Sequence, residues 1–348
     1  MRRSRVGLCL LALALSAACD VPTALPIYST VWSVPVKSTT ISVNSLLPAN
    51  QVTATADNSA FQVMLSPSSA SITRSLNQDC AACAIANGLS IPKPAFTGTG
   101  SANFAFPNTV ANATLVRDTL TVTINNGFNF DPLRPSASAR GYLILTVQSG
   151  GTVVGRDSID GATTPLPASG MLVRKVPLSG AVSSGGGLQV GMTLNSPAGD
   201  PVVIDAARTI TVSGSAGQVF VSSAQVNLAN QTISAAPSAI NLGGVDSSIT
   251  NRAGGATLEM TVTNPFSVTG NLNITFSGRS QISKTMQLAG GTTSPTVTFS
   301  QSEIRSLLGQ DVTMTIGGTV NGSNVTVMPG QTVTVSSRLV LTLNVGGN

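Results

Sequence analysis

Thr119-Leu120-Thr121-Val122-Thr123-Ile124-Asn125-Asn126-Gly127-Phe128 alternates hydroxyl-bearing and aliphatic side chains for six positions and then breaks at an Asn-Gly pair. Successive side chains of an extended strand point to opposite faces, so this order puts Leu120, Val122 and Ile124 on one face and the threonines on the other. Sheets of such strands pack on one side and are wet on the other, the habit of antiparallel sheets. Gln331-Thr332-Val333-Thr334-Val335-Ser336 carries the same pattern. Between runs of this kind stand Ser149-Gly150-Gly151, Ala289-Gly290-Gly291, Gly317-Gly318 and Asn321-Gly322, turn signals of which several suit hairpins. Many short strands between turns predict an all-β fold of antiparallel β-sandwiches, Ig-like in kind. Helix is scarce. The best candidate, residues 300–309, opens with Ser300 and Glu303 at capping-box spacing and stops on Gly309.

The opening stretch has a counterpart. Thr257-Leu258-Glu259-Met260-Thr261-Val262-Thr263-Asn264-Pro265-Phe266 keeps its first Thr, its Leu, the mid-strand Thr, the Asn and the Phe. Further on, Val190-Gly191-Met192-Thr193-Leu194 matches Val312-Thr313-Met314-Thr315-Ile316, and Thr209-Ile210-Thr211-Val212 matches Thr332-Val333-Thr334-Val335. The internal repeat predicts two tandem copies of one sandwich, residues 113–228 and 255–348, the first with a longer mid-domain insertion. Residues 229–254 read as a linker and 39–112 as an N-terminal β region.

The second copy resembles a known family. A strand closing on Asn264-Pro265-Phe266, a strand and turn over 270–278, a Gly-Gly turn, Thr296-Val297-Thr298-Phe299, a short helix near 304–308, then Val312 to Ile316 and Gly318 are similar to the WHy/LEA14-like domain. The likeness covers roughly residues 255–345, about one domain of chain. It implies a seven-strand sandwich with one short helix, and roles in stress protection or at the cell envelope without catalysis. The first copy has Gly127 where the proline would stand, and residues 179–187 cannot make the helix, so the likeness weakens there.

The N-terminus supplies an address. Arg2, Arg3 and Arg5 precede an apolar run over residues 6–15, followed by Ser16-Ala17-Ala18-Cys19-Asp20. This is the order of a secretory signal, here residues 1–18, too short to span a bilayer permanently. Its end resembles the lipobox of bacterial lipoproteins, with Ser16 where Leu is usual, and the chain as a whole resembles exported bacterial lipoproteins. That resemblance implies diacylation of Cys19 and anchoring to a bacterial membrane, at the periplasmic face or the cell surface, with residues 19–38 as tether. Ordinary cleavage after Ala18 is the alternative, and it would leave an odd free thiol in an oxidising compartment.

Charged residues are 9% of the chain, against about 25% in ordinary soluble proteins. Three of eighteen basic residues fall in the signal, leaving fifteen against thirteen acidic groups and a net charge of +2. Without clustered Lys and Arg there is no electrostatic footprint for nucleic acid. Aromatic residues at 4%, with one Trp, cannot build the two girdles of a transmembrane barrel. The chain has no histidine, which removes the commonest general base and the usual partner of a catalytic Ser or Cys. Glu259 reads as a solvent-facing strand residue and Glu303 as a helix cap, so paired-carboxylate chemistry lacks its pair.

Asp79-Cys80-Ala81-Ala82-Cys83-Ala84-Ile85-Ala86-Asn87-Gly88 holds the one motif with chemical promise. Cys80 and Cys83 are spaced for a disulfide in an exported protein. Asp79 as cap of a helix ending at Asn87-Gly88 would place Cys80 at a helix N-terminus, the setting of a redox pair. Against that, no βαβ unit surrounds the motif, and an acidic neighbour opposes thiolate formation. A structural disulfide is the preferred reading. Asp157-Ser158-Ile159-Asp160-Gly161 reads as a polar turn, lacking the spacing of a calcium loop, and Gly185-Gly186-Gly187 as a flexible loop. Asn126 and Asn264 are expected to bond their own backbone and begin a turn, with the following Phe in the core. Tyr28 and Trp32 are expected to pack the first strand.

No cofactor and no metal site is expected. The sequence predicts a non-catalytic, membrane-anchored structural or interaction module with an envelope protein or surface partner. The alternatives are a carrier of apolar ligand or lipid, and a thiol-disulfide protein using Cys80 and Cys83.

Overall fold

The structure, a computed structural model, describes residues 27–48 and 50–345. In chain order the strands are β1 (Tyr28–Ser42), β2 (Val52–Ala54), β3 (Phe61–Met64), β4 (Ser69–Ser75), β5 (Ser90–Pro92), β6 (Phe96–Phe104), β7 (Val110–Asn126), β8 (Tyr142–Ser149), β9 (Thr152–Asp160), β10 (Met171–Ser183), β11 (Leu188–Ser196), β12 (Pro201–Val203), β13 (Thr209–Ser215), β14 (Gln218–Ser234), β15 (Ser238–Asn241), β16 (Ala253–Asn264), β17 (Thr269–Ser277), β18 (Gln281–Leu288), β19 (Gly291–Thr293), β20 (Thr296–Phe299), β21 (Asp311–Val327) and β22 (Thr332–Val345). Five helices of seven residues or fewer punctuate them: α1 (Val43–Leu46), α2 (Leu76–Asp79), α3 (Ala81–Ile85), α4 (Ser247–Arg252) and α5 (Gln301–Leu307). Every strand pairing is antiparallel, and the fold is all-β, as the alternation predicts.

The two copies repeat one pairing scheme. In the first, β10–β7–β13–β4 forms one sheet and β9–β8–β11–β6 the other. In the second, β20–β16–β22–β1 and β18–β17–β21 with β14 and β15 hold the same places. The correspondence reaches single residue pairs. Ile124 faces Val212 across β7 and β13, and their counterparts Val262 and Val335 face each other across β16 and β22. Leu120, Val122, Ile124, Leu143, Leu145 and Val147 are fully buried, as the period-2 reading requires.

The places are filled from unexpected parts of the chain. In the first copy the outermost strand of one sheet is β4; in the second it is β1, which pairs with β22 from Tyr28↔Val345 to Ser42↔Thr332. The residues read as tether are therefore strand from Tyr28 onward. A bulge between Val36 and Thr39 lets β1 keep facing the core, with Val34 and Val36 inward before it and Thr39 and Ile41 after it. The bulge breaks the strict alternation that would have marked the strand.

The expected borders also shift. β4 and β6 join sheets of the first copy and β3 pairs with β14, so residues 39–112 are not a separate unit. β7 starts at Val110, before the expected border at 113. β14 crosses the border at 228, pairing with β7 through Val221 to Val226 and with β21 through Ala224 to Ser234. The expected linker contains the end of β14, then β15 and α4. A strand of seventeen residues is long enough to serve both sandwiches in succession, and alternation alone does not show where the partner changes.

The helix predicted over 300–309 is α5. Ser300 and Glu303 form the reciprocal capping box, and Gly309 has φ +75° beyond its end.

Because β1 closes the sheet of the distant copy, a cavity at its end should weaken that copy. Ile41 is fully buried opposite Val333. Ile41→Ala is expected to cost about 2–5 kcal/mol in urea unfolding. Native-state hydrogen exchange should show β22 and β16 amides losing protection together with β1. Loss confined to residues 28–47 would refute the coupling.

Candidate functional site

α2 begins with a capping box between Ser75 and Gln78, and Cys80 both closes α2 and caps α3. Cys80 Sγ accepts a hydrogen bond from the Cys83 backbone N at 3.1 Å, and the two sulfurs are at bonding distance, with Cα atoms 5.1 Å apart. Both residues lie in the core, Cys80 at 4% exposure and Cys83 at 0%. Asp79 does not cap the helix, contrary to the sequence expectation. It ends the preceding one, turned into the protein against Arg74, whose Nε donates to its carboxylate at 3.1 Å. The Asp79 carboxylate raises the pKa of the Arg74 guanidinium further above its ordinary value. A thiol that attacks other disulfides must be reachable, and this pair is enclosed.

Beside this segment lies a lysine that sequence reasoning missed. Lys93 is 1% exposed and, among the described residues, faces no carboxylate within ion-pair distance. Its Nζ donates to Pro94 O at 2.9 Å and Pro197 O at 2.6 Å, and sits 4.6 Å from the Phe96 ring centre and 5.3 Å from that of Phe130. Phe128 stacks on Phe130 at 5.2 Å and meets Phe96 edge-on at 5.9 Å, so the ammonium rests on an aromatic cluster. Burial pushes its pKa down to about 7. The one sequence signal was Pro92-Lys93-Pro94, a cation between two residues that cannot donate backbone hydrogen bonds.

The Asn-x-Phe element is structural, as read from the sequence. Asn126 Oδ1 accepts from Phe128 N at 3.0 Å, while its Nδ2 donates to Phe130 O, Leu166 O and Pro167 O at 2.9–3.0 Å. Asn264 repeats the turn through Phe266 N at 3.0 Å and reaches Ala289 O at 3.0 Å. Gly127 explains its departure from proline: its N–H donates to Thr209 O at 2.9 Å, a bond proline lacks.

The remaining candidates are engaged locally. Asp157 lies within β9 instead of a turn, bonded by Arg174 at 2.6 and 3.0 Å, and this guanidinium holds its carboxyl below the ordinary range. Asp160 Oδ1 accepts from Ala162 N at 2.8 Å. Glu259 pairs with Arg338 at 2.6 Å across β16 and β22. Glu303 caps α5 and meets the Lys284 ammonium at 2.7 Å, which lowers its pKa. Residues 184–186, expected as part of a flexible loop, form a turn between β10 and β11, with Gly187 at φ +54°. Two open grooves of about 480 Å³ each are lined mainly by polar side chains: one by Glu259, Thr296, Ser336 and Arg338, the other at the junction of the copies by Asn112, Thr114, Ser223 and Gln225. Cys19 lies outside the described residues. Tyr28 and Trp32 do not pack the first strand; they are 66% and 40% exposed.

No family model matches the chain, and no curated protein matches it. Among solved structures, a protein of Parabacteroides distasonis described as secreted aligns over 90% of this chain and 99% of its own, at 8% identity and a TM-score of 0.33. An empty particle of cowpea mosaic virus aligns over 86% and 94% at 11% identity and 0.23. A tandem CBM22 domain from Paenibacillus barcinonensis aligns over 78% and 96% at 7% identity and 0.18. At such scores these likenesses carry no argument about this chain.

Two measurements probe the buried polar groups. Between about pH 7 and pH 10 the unfolded chain holds a proton on Lys93 that the folded chain lacks, so stability rises with pH across that window and is indifferent to this group below it. Lys93→Met is expected to flatten the rise in urea midpoint between those pH values; an unchanged slope would show the ammonium charged throughout. Separately, Asn126→Ala removes the donor of Phe130 O and Leu166 O, Pro167 O keeping the Gly170 N–H, where Asn264→Ala removes that of Ala289 O alone. The first should cost about 2–4 kcal/mol and the second about 1–2 in thermal unfolding.

Proposed function

We propose that the chain is an exported envelope lipoprotein, anchored by acyl chains on Cys19, whose paired sandwiches form a non-catalytic structural or interaction module. The observation that carries this reading is the position of β1. Only the eight residues 20–27 separate the expected anchor from a strand built into the C-terminal copy, so that Cys19 and Tyr28 are at most about 32 Å apart. Such an anchor holds the folded body close to the membrane instead of on a long stalk.

The surface suits a partner recognised through neutral hydrogen bonds. On β17 and β18, Asn271 faces Gln287 at 3.0 Å, Asn273 faces Thr285 at 3.1 Å and Thr275 faces Ser283 at 3.2 Å, an exposed polar ladder without charge. The carboxylates described above act as caps and ion pairs, which supports a role without acid-base chemistry. The WHy/LEA14-like resemblance of the second copy points the same way. The partner would be another envelope protein or a surface component.

The test is lipid attachment. Palmitate labelling and detergent phase partition are expected to place the wild-type chain in the detergent phase and Cys19→Ser in the aqueous phase, still folded. A wild-type chain found in water with a free Cys19 thiol would replace this reading with ordinary secretion. Cys80→Ser with Cys83→Ser should leave partner binding intact while lowering stability; loss of a turnover activity in that variant would restore the redox alternative.

A further inference from the structure

The start of β1 continues the core beyond the end of the sandwich. Tyr28 and Trp32 lie on the same strand face as Val34 and Val36, which are buried, yet Tyr28 is 66% and Trp32 40% exposed. Their partners on β22 carry the stripe further: Tyr28 faces Val345 and Thr30 faces Leu343. On the opposite face Val31 is 66% exposed, and Ile27, just before the strand, is 66% exposed. The Tyr28 and Trp32 face of this tip is apolar and largely uncovered, whereas the other face mixes Ile27 and Val31 with Thr342 and the hydrogen-bonded pair Ser29 and Asn344. Neither residues 26–36 nor residues 339–345 contain a charged side chain. A basic residue stands next to the tip across the sheet: Arg252, exposed, precedes Ala253, which pairs with Leu343, and the first charge in the chain before the tip is Asp20.

We propose that this tip inserts into the interfacial layer of the membrane that holds the anchor. The inference rests on the lipoprotein reading and adds a second, non-covalent attachment to it. Three features choose a lipid surface as the occupant. Eight residues lie between Cys19 and the strand, so acyl chains in a bilayer keep the tip within about 32 Å of it. Trp and Tyr flanked by aliphatic residues are the side chains that settle at the boundary between headgroups and acyl chains. The lack of carboxylates in residues 26–36 and 339–345, with Arg252 alongside, suits anionic headgroups at the tip itself. Two attachments at one end of β1 would hold the body in a fixed attitude. A single covalent anchor leaves the attitude free.

Trp32 is the only tryptophan in the chain, so its fluorescence reports the tip directly. The test uses the full lipidated protein in vesicles of phosphatidylethanolamine and phosphatidylglycerol, part of them with brominated acyl chains. Docking predicts blue-shifted emission, quenching by the brominated lipid and protection from aqueous iodide. Tyr28→Ser with Val31→Ser should lower the ratio of docked to undocked tip about tenfold. Protein that sediments with vesicles while Trp32 stays open to iodide leaves the anchor standing and overturns docking. Trp32 already shielded from iodide without vesicles, or shielded in proportion to protein concentration, assigns the tip to the chain's own terminus or to a second copy and also overturns it. A chain with no acyl group on Cys19 overturns the anchor alone; quenching by brominated lipid at saturating vesicles would still support docking, and its absence would end it.

Discussion

The pairing of β1 with β22 joins the two ends of the described chain. It runs from Tyr28↔Val345 to Ser42↔Thr332 and so ties residues about three hundred positions apart. Each ladder pair contributes modestly, because folding trades hydrogen bonds to water for hydrogen bonds within the sheet. The burial of Val34, Val36 and Ile41 against the core gives the pairing its weight. Without β1, the edge of β22 would be a row of open backbone groups on a Thr- and Val-rich strand, the profile of an aggregation site. The C-terminal copy cannot close until the N-terminal strand arrives, so the two copies form one cooperative object.

β14 ties the copies a second time. Its first half lies beside β3 and β7 and its second half beside β21. The copy following a shared strand inherits its register from the copy before it. The two copies thus fill their edges from different parts of the chain: the first uses β4 and β6 from its own neighbourhood, whereas the second takes β1 and the end of β14.

Local signals in the sequence were legible because local chemistry sets them. The faces of Thr119 to Ile124 follow from strand geometry, the capping box at Ser300 from helix ends, and the Asn126 and Asn264 turns from side chains that bond two residues on. The alignment of the copies held at the level of Ile124 with Val212 and Val262 with Val335 because a one-residue slip would turn every aliphatic side chain outward. What escaped was non-local. Nothing in Tyr28 to Ser42 names β22 as its partner, and the bulge at Val36 and Thr39 disguises the strand. Trp32 is expected to pack the first strand, whereas it lies near the outer end of β1 and is 40% exposed. Asp79 is a local exception: its place before Cys80 predicts a helix cap, yet Arg74, five residues earlier at the end of β4, draws it inward.

Lys93 belongs to a wider pattern that composition makes necessary. The loops around it are rich in proline, which accepts hydrogen bonds but cannot donate them. Carbonyls therefore outnumber backbone donors there, and each buried one left open would carry a desolvation cost. Side chains supply the missing donors. Lys93 serves Pro94 O and Pro197 O, Asn126 serves Phe130 O, Leu166 O and Pro167 O, Ser196 serves Pro132 O, and Arg134 serves Gly161 O and Ala162 O. A cation is the costliest of these to bury, and its depressed pKa records that cost. It is tolerated because two carbonyls and two ring faces converge where a neutral side chain would satisfy fewer of them. In a chain with so few charges, the enclosed ammonium is then explained by the folding of proline-rich crossings, and it needs no catalytic role.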